Sequence, residues 1–175
     1  SYDGIPDMDI PLIFIYTGFR ISELQHMKVD DIDWEEEVLV GGVKTAAGKN
    51  RRVPIHHSIL ELIKHRAKIN RGGFLFESQF GTMYHSRFLR DKFKVVMKHA
   101  NMEHVPHECR HTFETMLDNA GANRKCIDMM MGHTSKDIGN RVYNHKTIKQ
   151  LKENIELLPT PKELNVSNII VTKYA

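Results

Sequence analysis

The sequence is short of the features that would place it in several broad classes. It has two cysteines, Cys109 and Cys126, which make no disulfide framework and have no zinc-site spacing, so a reducing compartment is expected. No apolar run approaches the length of a membrane span and no signal peptide opens the chain. The expected location is therefore the cytoplasm, with no membrane partner. No internal repeat or low-complexity run breaks up the 175 residues, a length that suits one domain with a sizeable core. Net charge is small as well: at +3 the chain is only mildly basic, and that total does not by itself establish a nucleic-acid partner.

Charge arrangement says more than charge total. Asp30, Asp31, Asp33, Glu35, Glu36 and Glu37 crowd one stretch against Lys28, whereas residues 44–57 carry Lys44, Lys49, Arg51 and Arg52 with no acid. Such segregation is expected of a protein with one phosphate-facing side. The densest chemistry lies between Pro106 and Tyr143, which reads Pro106-His107-Glu108-Cys109-Arg110-His111-Thr112-Phe113, then Met131-Gly132-His133, then Tyr143. His107 and Arg110, three apart, share a helix face and could grip one anionic group together. An arginine fork suits phosphate, a histidine moves protons near neutral pH, and a tyrosine hydroxyl becomes a nucleophile once its proton leaves. That is a kit for phosphoryl transfer without metal or cofactor. Singly, any of the eleven histidines or five tyrosines would be a surface or packing residue; their joint spacing singles these out.

The ordered set resembles the tyrosine recombinases, the phage integrase family. His107-x-x-Arg110-His111-Thr112, Gly132-His133 and Tyr143 look like that family's signature, and Tyr16-Thr17-Gly18-Phe19-Arg20-Ile21-Ser22-Glu23-Leu24 is similar to its first arginine motif. Val43-Lys44-Thr45, followed by Gly48 and Arg51-Arg52-Val53-Pro54-Ile55, is similar to its hairpin lysine. The pieces stand in family order over nearly the whole chain. Glu108, Cys109, Phe19 and Met131 depart from the commonest residues, and none of these changes removes a catalytic group.

The fold expected is mainly α with a small antiparallel β-sheet. Met8 to Tyr16 is apolar enough for a helix buried on several sides; Thr17-Gly18 breaks it, and Arg20 opens the next, braced by Glu23. Short β-rich runs at 37–45 and 51–55 suggest a hairpin, with Lys44 just before its loop and Lys49 at its tip. Further helices are expected at Ser58–Lys68 with Ser58 as N-cap, at Ser86–Ala100 with Phe88, Leu89, Phe93, Val96 and Met97 inward, at His107–Asn119, at Arg124–Met131, at Ser135–Tyr143 and at Ile148–Leu158. Phe74-Leu75-Phe76 reads as a short buried strand. The basic side of the Ser86 helix is either solvated or a DNA-backbone contact. Cys109 reads as a small buried residue rather than a reactive thiol.

The resemblance implies roles. Arg20 and Arg110 would clamp the nonbridging phosphate oxygens, with His133 donating a third hydrogen bond. His107 would accept or orient the proton of Tyr143, a phenol of pKa about 10, and Lys44 would protonate the leaving 5′ oxygen. His111 is assigned to structure, though by sequence it competes with His107. The product would be a 3′-phosphotyrosyl link, made and resealed without cofactor. The family further implies a catalytic domain at 1–158, a DNA-gripping N-terminal domain outside this chain, and a tail at 159–175 whose β-branched strand pairs in cis or in trans. The implied partners are double-stranded DNA, further copies of the chain in a tetramer on DNA, and accessory DNA-bending proteins, in a bacterial or phage setting. Integration or excision of a mobile element is the leading reading. A catalytically inactive architectural DNA-binding module and a type IB topoisomerase are the alternatives.

Overall fold

The computed structural model describes residues 7–42, 50–133 and 147–161. Lys44, Lys49, Tyr143, the helix expected at Ser135–Tyr143 and the β-branched tail beyond Lys162 lie outside the described residues. What is described is a helical body with a three-stranded antiparallel sheet at one side.

Helix α1, Ile10–Thr17, is apolar nearly all round because it is enclosed nearly all round, by α3, α4 and α5. Pro11 sits in its first turn, where no backbone donor is needed. Gly18 ends it in the left-handed region at φ 61° and returns its N–H to Phe14 O at 3.1 Å. Only glycine fits there, since a Cβ would stand 2.4 Å from Phe113 Cδ1. The next helix, α2, Ile21–Gln25, starts at Arg20, and a 3₁₀ turn follows at Val29–Asp31. Strands β1, Ile32–Asp33, β2, Val38–Gly41, and β3, Arg51–Pro54, pair in chain order, with Leu39 opposite Val53 and Gly41 opposite Arg51.

The remaining helices are α3, His57–Ile69, α4, Ser86–His99, α5, Pro106–Asn119, α6, Arg124–Met131, and α7, Ile148–Ile155. Each lays one apolar stripe on the core: Ile59, Leu62 and Ile63 from α3, Leu89, Phe93, Val96 and Met97 from α4, Phe113 and Leu117 from α5, Ile127, Met130 and Met131 from α6, and Leu151 and Ile155 from α7. Phe93 meets Phe14 edge-on at 6.2 Å. Side chains buried to this degree contribute about 1.5–3 kcal/mol each, so the helix stripes hold α5, and with it the candidate site, against α1.

Three expectations need correction. Ser58 is not the N-cap of α3; His56 is, its Nδ1 accepting from Ser58 N at 3.1 Å, and His85 caps α4 in the same way at Arg87 N. An imidazole lone pair can replace the usual hydroxyl or carboxylate, which residue-type rules do not anticipate. Phe88 does not face the core but is 44% exposed, stacked beside Tyr84 with Lys92 over its ring. Phe74 to Phe76 forms no strand, only an isolated bridge from Phe74 to Lys28, although Leu75 and Phe76 are fully buried.

Two polar clusters pin the ends of the helical body. Arg66 of α3 is buried and holds Asp9 through Nε and Nη2 at 2.6 Å each, and Asp7 at 3.0 Å, while its guanidinium covers the Phe76 ring. Glu156, just past α7, takes the His57 backbone N–H at 3.1 Å and His57 Nδ1 at 2.5 Å. Its carboxylate therefore lies on the positive N-terminal end of α3. Among the described residues no helix is long and apolar enough to cross a membrane.

Candidate active site

Arg110 is the centre of the site. It is buried, 3% exposed, in the second turn of α5. Among the described residues no carboxylate takes its hydrogen bonds: Nη1 donates to Gly18 O at 2.6 Å and Nη2 to Met131 O at 2.5 Å. Both acceptors lie at helix C-termini. Gly18 closes α1, and Met131 closes α6, where Gly132 turns left-handed at φ 67° and His133 N bonds back to Asp128 O. The last carbonyls of a helix have no partner within it and carry the negative end of its dipole. A guanidinium fork thus occupies the ends of two helices that the chain brings together from positions far apart in sequence.

His133 joins the same fork. Arg110 Nη2 donates to His133 Nε2 at 3.3 Å, and His133 Nδ1 lies 3.7 Å from Asp128 Oδ1. Since arginine is donor-only, Nε2 is an acceptor here and Nδ1 carries the proton. To donate from Nε2 to a phosphate, the ring would have to carry a proton on that nitrogen instead of accepting there from Arg110.

Arg20, the residue before α2, stands two places beyond Gly18 and is half-buried, with 28% of its side chain exposed. Glu23 braces it, as the sequence implies, accepting the Arg20 N–H at 2.6 Å and Nη1 at 3.2 Å. The main load on Glu23 comes from a residue that sequence reasoning misplaces. Arg51, grouped above with phosphate-facing bases, is buried and donates to both Glu23 oxygens, at 2.7 and 2.8 Å, with Phe19 against its guanidinium at 4.1 Å. Strand alternation holds the missing signal: Val53 faces the core, so Arg51 two residues earlier must too.

The electrostatics follow from this geometry. Burial, with the nearby charges of Arg20 and Arg51, pulls the Arg110 guanidinium down to about 10. Burial pushes the Glu23 carboxyl up, but hydrogen bonds from Arg51 and from the Arg20 N–H outweigh it and leave it below the usual carboxylate range. Arg20, Arg51 and Arg110 thus lie close enough to one another to act on each other's charge, with Glu23 shared between the first two, an arrangement that an added anion would relieve.

His107 lies one turn before Arg110 on α5 but does not share its environment. Arg110 points inward, whereas His107 is exposed and sets its ring edge-on to His111 at 4.7 Å. Cys109 is buried and its thiol is pushed up to about 12 by burial and then by the Glu108 charge, so it is inert. The structure thus brings Arg20, Arg110 and His133 together and leaves His107 exposed against His111, while Lys44 and Tyr143 lie outside the described residues.

Comparison with known proteins supplies the context. Residues 2–150 match the model of the phage integrase family. Tyrosine recombinase XerA of Pyrococcus furiosus is 31% identical over 160 residues, covering 88% of this chain and 55% of its own. Tyrosine recombinase XerC of Staphylococcus saprophyticus is 31% identical over 160 residues, 86% of this chain and 52% of its own. The chain spans about half the length of the curated relatives it matches. Among solved structures, the integrase of mycobacterium phage Brujita superposes with a TM-score of 0.68 at 23% identity, over 86% of this chain and 50% of that one. The Tn1549 transposon integrase, solved in complex with circular intermediate DNA, gives 0.64 at 26% identity, over 89% of this chain and 59% of that one.

Proposed function

The chain belongs to the phage integrase family, and from that premise we propose that it cuts and rejoins double-stranded DNA through a 3′-phosphotyrosyl intermediate, as the catalytic part of a site-specific recombinase or integrase. The observation that carries this is Arg110, a buried cation near Arg20 and, among the described residues, with no carboxylate in its own hydrogen bonds. A guanidinium so placed suits an anion of the size and charge of a phosphodiester.

In the reaction the Tyr143 hydroxyl oxygen bonds to phosphorus and the bond to the 5′ oxygen breaks. The phenol proton passes to His107, which its exposed position leaves accessible, and Lys44 supplies the proton that the leaving oxygen takes up. Arg20 and Arg110 hold the nonbridging oxygens and stabilise the charge that grows on them; removing a donor of this kind costs on the order of 10²-fold in rate. His133 adds a hydrogen bond from Nε2 when that nitrogen carries the proton. Because the phosphotyrosyl link keeps the energy of the phosphodiester, a strand hydroxyl reverses the step with no cofactor.

Assembly follows the same reading. Residues 1–158 do the chemistry, and the tail at 159–175 pairs in cis or with a neighbouring copy in a tetramer on DNA, in the cytoplasm and with accessory DNA-bending proteins at the site. Integration or excision of a mobile element fits the Tn1549 likeness.

Covalent trapping tests the proposal. The protein is incubated with nicked duplexes, which let the released strand diffuse away, and denaturant-resistant protein–DNA adduct is measured. Wild type should accumulate adduct, and Tyr143→Phe should accumulate none while binding DNA with nearly unchanged affinity. Equal adduct from both removes Tyr143 from the mechanism; DNA binding without adduct in wild type overturns the catalytic reading.

A further inference from the structure

The start of α5 carries a second pattern that overlaps the residues given that chemistry. His107-Glu108-Cys109-Arg110-His111 satisfies the H-E-x-x-H spacing, which on a helix sets two imidazoles on one face, one turn apart, as a pair of metal ligands. Both rings are exposed and touch, with centroids 4.7 Å apart. Zinc–nitrogen bonds of about 2.0–2.1 Å put two tetrahedral ligand atoms about 3.3 Å apart. Side chains at i and i+4 reach that separation by rotating exposed rings, with no movement of the backbone.

Glu108 lies on the same exposed turn and accepts from His104 Nδ1 at 3.0 Å and from Val105 N at 3.0 Å. Cys109 is turned inward and is no ligand. The second histidine cluster, His56, His57 and Glu156, brings its ligand atoms within 4.8 Å of one another, yet it suits a metal less well. His56 Nδ1 is an acceptor for Ser58 N, so its other nitrogen bears the proton that a metal would have to displace.

We propose that His107 and His111, with Glu108 beside them, form a site for a borderline divalent ion such as Zn²⁺, and that occupancy switches off strand cleavage by taking the lone pair that His107 needs as proton acceptor. Imidazole donors select Zn²⁺, Cu²⁺ and Ni²⁺ over Mg²⁺ and Ca²⁺. The inhibitory half rests on the role given to His107 under Proposed function; the binding half does not.

The test has two arms. In the first, Zn²⁺ is titrated into the chain and followed by calorimetry and by the imidazole resonances of His107 and His111, for wild type, His111→Gln and His57→Gln. One ion should bind to wild type and to His57→Gln, moving both resonances, and bind roughly tenfold or more weakly to His111→Gln. Unchanged binding in His111→Gln, or loss in His57→Gln, overturns the site. Circular dichroism of His111→Gln should match wild type, because the ring is exposed. In the second arm, adduct on nicked duplex should fall with Zn²⁺ for wild type, return with chelator, and stay constant for His111→Gln. Equal Zn²⁺ inhibition of both proteins overturns the switch. Absence of adduct in both proteins without metal defeats the cleavage reading and with it the switch, leaving the first arm to decide the site.

Discussion

Glu23→Gln is the most informative single change, because it separates the scaffold of the site from its chemistry. In the native fold both carboxylate oxygens are taken by Arg51 at 2.7 and 2.8 Å, and the two side chains are only 2% and 1% exposed. The amide keeps the shape and one acceptor but removes the charge and leaves a donor facing a guanidinium. Removing one partner of a buried pair costs about 3–5 kcal/mol, since the other charge stays buried without compensation. Against a total of about 5–15 kcal/mol for a domain, that loss should move the urea midpoint substantially at pH 7. The control is Glu23→Gln with Arg51→Met, which removes both charges and should recover much of the stability. The pH dependence carries a second signature. Because the folded carboxyl titrates below its ordinary value, its stabilising contribution is present above the unfolded value and is lost as pH falls through the folded one. Wild type should therefore lose stability in acid more steeply than Glu23→Gln. A loss below about 1 kcal/mol at pH 7, the range of an exposed pair, would refute the claim that this pair holds β3 against α2.

Gly18→Ala combines a left-handed backbone, about 1–2 kcal/mol, with a Cβ placed 2.4 Å from Phe113 Cδ1, about 1–3 kcal/mol of overpacking; thermal unfolding should show a loss of both together, and a neutral result would mean that Phe113 yields freely. Glu156→Ala leaves the His56 cap in place but removes the carboxylate that accepts the His57 N–H at the positive end of α3, about 0.3–1 kcal/mol and towards the lower end because the carboxylate is 42% exposed. Amide exchange should quicken in α7 and the first turn of α3 alone, and unchanged exchange in α7 would show that Leu151 and Ile155 hold it without help.

Much of the fold was legible because apolar periodicity is a property of short stretches. The stripes Ile59-Leu62-Ile63 and Ile127-Met130-Met131 define α3 and α6 with no reference to the rest of the chain. What was not legible depends on how separate stretches meet. Arg51 counts as a surface base by charge, and only its register beside Val53 sends it inward to Glu23. The acceptors of Arg110 are backbone carbonyls, which every residue has, so no residue type marks Gly18 or Met131 as its partners. His107 and Arg110 share a spacing that suggests one face, yet at three residues apart they diverge enough for one to be buried and the other exposed. The candidate site was legible as a set of residue types in order, and the geometry of Arg20, Arg110 and His133 needed the packing of α1, α5 and α6.

The hold of Arg110 on two helix ends bears on the choice of an inactive variant for trapping DNA complexes. Alanine at 110 would vacate the junction of α1, α5 and α6, and lysine, a point charge without a fork, could not bridge Gly18 O and Met131 O together. Either would confound lost chemistry with a displaced scaffold. Arg20 offers a cleaner handle, since among the described residues its side chain bonds to a carboxylate that Arg51 already holds. A lysine there keeps the positive charge and leaves the helix ends undisturbed, so a stalled complex formed with it should preserve the native shape of the pocket.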